Sequence, residues 1–369
     1  MRMRAAVLEE FGEPLVVQEV ELADPGPGEV LVRLVACGVC HTDAYTASSA
    51  DPSGYSPAVL GHEGAGVVEA VGSDVGSVRV GDHVVTLFSP QCRECVHCRS
   101  DRTNLCMAIR QEQNLGQLPD GTTRLSRPGG GQPIRHFMGT STFAEYTVMP
   151  EIALAVISPE APLDHACLFA CGLSTGLGAA MYTAKVDPGS TCVVFGAGMV
   201  GLGAVAGCRL QAAERIVCVD LSEERLSLAL GQGATDTWLA DENTVARVLE
   251  VTGGFGADYT FEATGLVKVM GQAVEAARMG WGLCTVAGVA GKGETLDVIP
   301  RLLITGRRIC GSSFGGVKGR DQVPELVGRY LDGDIDVDPF VSHRIGLDDV
   351  NRGFELMHHQ DGIRSVIEF

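Results

Sequence analysis

The sequence predicts an α/β fold in which a doubly wound parallel sheet is inserted into a mainly β domain. Three observations predict it. Short β-type runs separated by turn signals fill the chain before about Cys171, and strands alternate with helices after it. A last β-type run at 363–369 then reads as a strand returning to the first part. At 369 residues the chain is too long for one ordinary core and suits two domains.

The first part has β-type runs at 15–22, 29–36, 66–71, 82–87 and 145–149, punctuated by Pro25-Gly-Pro-Gly28, Gly81-Asp82 and Pro90. Beyond Cys171 a buried-type strand at 191–195 meets a Gly-rich turn and a helix of small residues to about Ala213. A strand at 215–220 and a helix from Ser222 to about Leu230 follow, then strands at 258–262 and 283–289. Ser222 suits a helix N-cap, with Glu223 and Glu224 in the first turn, where the helix dipole favours acids.

A formal net charge of −18 disfavours nucleic-acid and anionic-membrane partners. The N-terminus has Glu9 and Glu10 where a secretory signal needs an apolar run, and the stretch 193–208 is broken by glycines. Thirteen cysteines, an odd number, with metal-like local spacing argue for a reducing cytoplasm.

Cys92, Cys95, Cys98 and Cys106 lie within fifteen positions, enough to close a tetrahedron around one zinc ion with no open coordination site. Disulfides or unrelated thiols are the alternative. A closed site does no chemistry, so a second, open site is expected. Cys40 in Gly38-Val-Cys-His41-Thr42-Asp43, His62 in Gly61-His-Glu63-Gly64, and Cys171 before Gly172 sit in Gly-flanked segments, Cys171 at the expected domain junction. Two thiolates and an imidazole leave zinc a fourth position for water or substrate, with Asp43 and Glu63 orienting the ligands. Residue types alone do not choose among thirteen cysteines and nine histidines.

Gly196-Ala-Gly198-Met-Val-Gly201 fits the Rossmann dinucleotide fingerprint, following a strand, opening a helix and preceding an acid, Asp220, at the end of the next strand. Asp220 would bond the adenosine ribose and repel a 2′-phosphate, which favours NAD over NADP, while Arg225 could pair with the ribose or a phosphate edge. A Gly-rich turn without cofactor is the alternative.

Over nearly its whole length the chain resembles the zinc-containing medium-chain alcohol dehydrogenases, and within them the class III branch that oxidises S-(hydroxymethyl)glutathione. The resemblance is carried by residues 38–43, Leu60-Gly-His-Glu-Gly-Ala-Gly66, the cysteine loop ending Thr103-Asn-Leu-Cys106, and Pro119-Asp-Gly121. His136-Phe-Met-Gly-Thr-Ser-Thr-Phe143, Tyr182-Thr-Ala-Lys185 and Phe314-Gly-Gly316 add to it. It implies a GroES-like catalytic domain over 1–173 and 315–369, an NAD-binding Rossmann domain over 174–314, and a homodimer. It makes Cys40, His62 and Cys171 catalytic zinc ligands and the four clustered cysteines structural ones. Thr42 matches a proton-relaying hydroxyl, and His41 and Arg364 match positions near the cofactor pyrophosphate. The implied reaction is NAD-linked hydride transfer between alcohol and aldehyde.

The departures concern substrate. Asp51 and Arg110 match the class III pocket, but Ser53, Met107 and Met279 stand where that branch has glutamate, glutamine and lysine, and Tyr182 replaces an asparagine. The stretch 127–132 is longer and richer in glycine. Losing an acid, an amide and a cation, and gaining two adaptable apolar side chains, favours a less polar alcohol or aldehyde. The glutathione or another thiol adduct is the alternative, and a non-catalytic NAD-binding zinc protein a remote one.

Overall fold

The computed structural model describes residues 1–50 and 54–369, so Asp51 and Ser53 lie outside the described residues. The chain divides into two compact units. One comprises Met1–Cys171, Lys318–Gly333 and Val337–Phe369; the other comprises Gly172–Val317 with Asp334–Asp336.

The first unit begins with β1 (Arg2–Leu8), β2 (Val16–Leu22), β3 (Glu29–Gly38), β4 (Ala58–Val59), β5 (Glu63–Val71) and β6 (His83–Thr86). It continues with β7 (Leu125–Ser126), β8 (Pro133–His136), β9 (Tyr146–Pro150) and β10 (Leu154–Val156). β1, β2, β7, β8 and β4 close into a barrel. Met3, Val7, Val20, Leu22, Val59, Leu125 and Ile134 are buried together, from strands whose side chains alternate across the pleat.

The second unit is a six-stranded sheet of β11 (Thr191–Phe195), β12 (Arg215–Asp220), β13 (Asp236–Leu239), β14 (Tyr259–Glu262), β15 (Leu283–Val286) and β16 (Arg308–Gly311). The spatial order is β13-β12-β11-β14-β15-β16 and every pairing is parallel. This is the doubly wound order, with its reversal between β11 and β14. Val193, Phe195, Val217, Val219, Val248, Ala273 and Cys284 form its core. The small-residue helix runs Met199–Leu210, shorter than expected. Ser222 caps the helix Glu223–Gln232 by accepting from the Arg225 amide at 3.3 Å. β15 stops at Val286 rather than reaching 289, because Gly288 already belongs to a turn folded back on Glu262.

β17 (Val341–Ile345) and β18 (Arg364–Glu368) return to the first unit. β18 pairs antiparallel with β3, within the sheet β10-β6-β5-β3-β18-β17, where β9 also pairs with β3. The expected C-terminal strand is thus present. Among the described residues no single helix is long and apolar enough to cross a membrane.

Candidate metal and dinucleotide sites

Strand register builds the first site. β3 ends at Gly38, and two residues later Cys40 caps the helix His41–Ala47. β5 lies antiparallel with Gly38 opposite Glu63, which brings His62 alongside Cys40. A Cβ on Gly38 would lie 2.1 Å from Glu63 Oε2, so only glycine leaves that carboxylate its place. From the other side, Val366 of β18 stands opposite Gly38, and the Val39 amide donates to Ser365 at 2.9 Å. That register delivers Arg364, whose Nη2 lies 3.1 Å from Glu63 Oε1 and whose Nη1 donates to the Val39 carbonyl at 2.7 Å. Cys171 follows the short helix Cys167–Ala170.

The donor atoms of Cys40, His62, Glu63 and Cys171 all lie within 4.8 Å of one another. Asp43 Oδ1 is 3.0 Å from His62 Nδ1 and also accepts from the Gly61 amide, while Asp43 Oδ2 accepts from the Cys40 amide. Phe88 and Phe137 meet the His62 ring edge-on, with centroids at 5.7 and 5.9 Å. Ring orientation is therefore set on three sides, and the carboxylate favours a proton on Nδ1. Nε2 is buried without a hydrogen-bond partner among the described residues, as a nitrogen awaiting a cation would be. The hydrogen bond from the Cys171 thiol, helped by Arg364 and His62, holds the Cys40 thiol well below its usual range. That same bond, with burial, raises Cys171. Burial pushes Glu63 up to about 8 against the pull of Arg364. Such a set fits a divalent zinc ion, whose charge displaces the remaining thiol proton.

Thr42 Oγ1 lies 3.8 Å from Cys40 Sγ, and His41 is exposed at the start of the helix. The side chain of Arg364 is only 5% exposed and is engaged by Glu63 and Val39 inside its own unit. Met107 and Met279 are 52% and 49% exposed, and Arg110 is exposed at the start of the helix Arg110–Gln113.

The four clustered cysteines also fit zinc. Cys92 Sγ accepts from the Glu94 and Cys95 amides, and Cys95 Sγ from the Cys98 amide. Cys92 and Cys98 sulfurs are 3.8 Å apart. A tetrahedron with Zn–S near 2.3 Å has an edge of about 3.8 Å. Against burial, the Met107 and Cys98 amides bring Cys95 down to about 6, while burial sends Cys106 up to about 12. Lys318 Nζ clasps the loop by donating to the Cys98 carbonyl at 2.9 Å and to that of Ser100. The clasp joins residues more than two hundred positions apart, and no local pattern announces it.

In the second unit Gly196 has φ +97°, open to glycine at no steric cost, and a Cβ on Gly201 would lie 1.7 Å from the Gly196 carbonyl. Gly198 caps the helix Met199–Leu210 with nothing within 4 Å of where its Cβ would be, which leaves backbone open to a phosphate. Asp220 ends β12. Its Oδ2 accepts from the Ala197 amide at 2.6 Å and its Oδ1 from the Ser222 amide at 2.9 Å, so it braces the glycine turn. Arg225 is half-buried in the following helix.

Residues 26–159 match the family model "Alcohol dehydrogenase GroES-like domain", and 199–331 match "Zinc-binding dehydrogenase". S-(hydroxymethyl)glutathione dehydrogenase of Escherichia coli O157:H7 is 49% identical over 371 residues, covering 100% of each chain. Among solved structures, an alcohol dehydrogenase zinc-binding domain protein from Burkholderia ambifaria is similar at TM-score 0.94 and 34% identity, covering 100% of this chain and 99% of that one. Benzyl alcohol dehydrogenase from Acinetobacter calcoaceticus is similar at TM-score 0.92 and 31% identity, with the same coverage.

Proposed function

The chain belongs to the zinc-binding alcohol dehydrogenase family, and from that premise we propose that it interconverts an alcohol and its aldehyde using one catalytic zinc and NAD. The observation that carries the proposal is the convergence of the Cys40, His62 and Cys171 donor atoms, with a buried His62 Nε2 that has no hydrogen-bond partner among the described residues. Zinc held there supplies a Lewis acid for the substrate oxygen, and the nicotinamide of NAD supplies the hydride acceptor. Asp43 keeps the His62 ring in its metal-facing orientation. Glu63, held by Arg364, tunes the charge behind the ligands. The Thr42 hydroxyl, beside Cys40, passes the substrate proton outward, with His41 on the solvent side. Cys92, Cys95, Cys98 and Cys106 would hold a second, structural zinc. Asp220 receives the adenosine ribose, Arg225 in the first turn of the following helix pairs with the ribose or a phosphate edge, and Gly196, Gly198 and Gly201 let the pyrophosphate approach the backbone. A higher kcat/KM with NADPH than with NADH would overturn the NAD assignment.

For the substrate we favour a less polar alcohol or aldehyde, on the apolar, half-exposed Met107 and Met279. The relatives at 49% identity, named for S-(hydroxymethyl)glutathione, favour the thiol adduct as a second reading. NADH production from formaldehyde with and without glutathione, run beside longer aliphatic and aryl alcohols, separates the two. Strict dependence on glutathione overturns the first reading. No disulfide joins any of the thirteen cysteines among the described residues, which suits a reducing cytoplasm. A homodimer is supported by β16, the sheet's edge strand, with Ile299, Leu303 and Ile304 close before it in the chain and 57%, 45% and 84% exposed.

A further inference from the structure

Glu262 ends β14 without solvent exposure, beside the reversal of strand order. Its Oε1 accepts from the Thr264 amide at 2.6 Å, the Gly265 amide at 3.0 Å and the Thr264 hydroxyl. Its main-chain carbonyl accepts from the amides of Ala287 at 2.9 Å and Gly288 at 3.0 Å, in the turn after β15. The two turns touch. A Cβ on Gly288 would lie 2.3 Å from the Gly265 nitrogen and 2.5 Å from Glu262 Oε2, and one on Gly265 would lie 2.5 Å from the Val289 carbonyl. The first of these turns also reaches the glycine turn after β11. Ala263 donates to the Phe195 carbonyl at 2.9 Å, and the Thr264 methyl is 2.9 Å from where a Gly196 Cβ would be.

Glu262 therefore ties two strand-end turns, one through its carboxylate and one through its main-chain carbonyl, and the first of them meets the glycine turn to form a single rim. Ladder pairing already fixes β14, so the side chain is not what holds the strand. It satisfies two amides that the ladder leaves open, at the cost of burying a carboxyl group whose Oε2 has no partner among the described residues. Asp220 stands at the end of β12, on one side of the reversal. A dinucleotide whose adenosine lies there crosses the reversal and continues over β14 and β15.

We propose that Glu262 is a positioning residue for the nicotinamide half of the dinucleotide, holding the turns at 263–265 and 287–289 in register with the glycine turn. The role rests on the chain's binding NAD as proposed.

Glu262→Ala, Glu262→Gln and Gly288→Ala test it in the full-length holoenzyme. Dissociation constants for NADH and for AMP are measured by calorimetry, with Tm recorded for each variant. Glu262→Ala should weaken NADH about tenfold or more while AMP, which needs only the β12 side, stays within about twofold. Glu262→Gln, whose amide oxygen can still accept from Thr264 and Gly265, should restore NADH binding. Gly288→Ala presses on the same contact from the opposite side and should repeat the NADH-specific loss, carrying the comparison if Glu262→Ala does not fold. Unchanged NADH affinity in Glu262→Ala and Gly288→Ala, or equal loss of AMP and NADH, overturns the proposal. A wild-type protein that binds AMP but no NADH overturns the NAD reading itself, and this role with it.

Discussion

Asp43 settles which nitrogen of His62 faces the ligand group, since its carboxylate engages Nδ1 at 3.0 Å with neither side chain meaningfully exposed. Asp43→Ala should lower zinc affinity or turnover by about 10- to 100-fold, read as zinc per chain and kcat. Cys171→Ser should take the metal content from two zinc per chain toward one and abolish turnover, while circular dichroism stays that of the wild type. Retained activity would remove Cys171 from the ligand set. His136 gives a pH prediction away from the metal. Burial, with Arg124 nearby, lowers it to about 3, so it stays neutral and accepts from the Arg124 amide. Below its ordinary value near 6.5, the unfolded chain binds a proton that the folded chain does not. Stability is therefore lost as pH falls from 6.5 toward 3, on the order of 3 kcal/mol by pH 4. His136→Gln should lack that acid limb, visible as a wild-type-minus-variant difference in urea midpoints that shrinks as pH falls.

The cysteine loop is an element whose shape depends on its ion. Cys95→Ser removes a sulfur that both caps the helix Val96–Arg99 and belongs to the four-donor group, so it should lower Tm and zinc content by up to one ion per chain. Protease cleavage within 92–106 should rise, as limited digestion would show. This loop was legible in the sequence because its four donors are local, as was the glycine turn, whose strand, turn and helix are contiguous. What lay hidden is non-local or too short. β4 and β7 have two residues each, too few for any alternation to register. β1 was missed although its buried positions Met3, Ala5, Ala6, Val7 and Leu8 are apolar, since they lack strict alternation. The Glu63–Arg364 pair joins residues from the two ends of the chain, and Phe88 and Phe137 reach His62 from separate loops. Glu262 was readable only as the last residue of a strand run, and the Thr-Gly two residues later was the available hint of a turn needing an acceptor.

At the scale of the whole molecule, the apolar side chains preceding β16 and its open edge predict self-association. Ile304→Asp should shift the sedimenting species from dimer to monomer, and a wild-type protein that sediments as a monomer at micromolar concentration would remove the prediction. The order in which the parts are made adds a constraint. The sheet that carries Gly38 and Glu63 is completed by β18, and the guanidinium behind Glu63 comes from its first residue. The contiguous stretch Gly172–Val317 leaves the ribosome well before residues 364–368 do. The nucleotide-fingerprint unit can mature while translation continues, whereas the buried carboxylate beside Cys40 and His62 waits for its counter-charge until Arg364 has been made. A stalled nascent chain would thus present a formed glycine turn alongside an unfinished metal pocket.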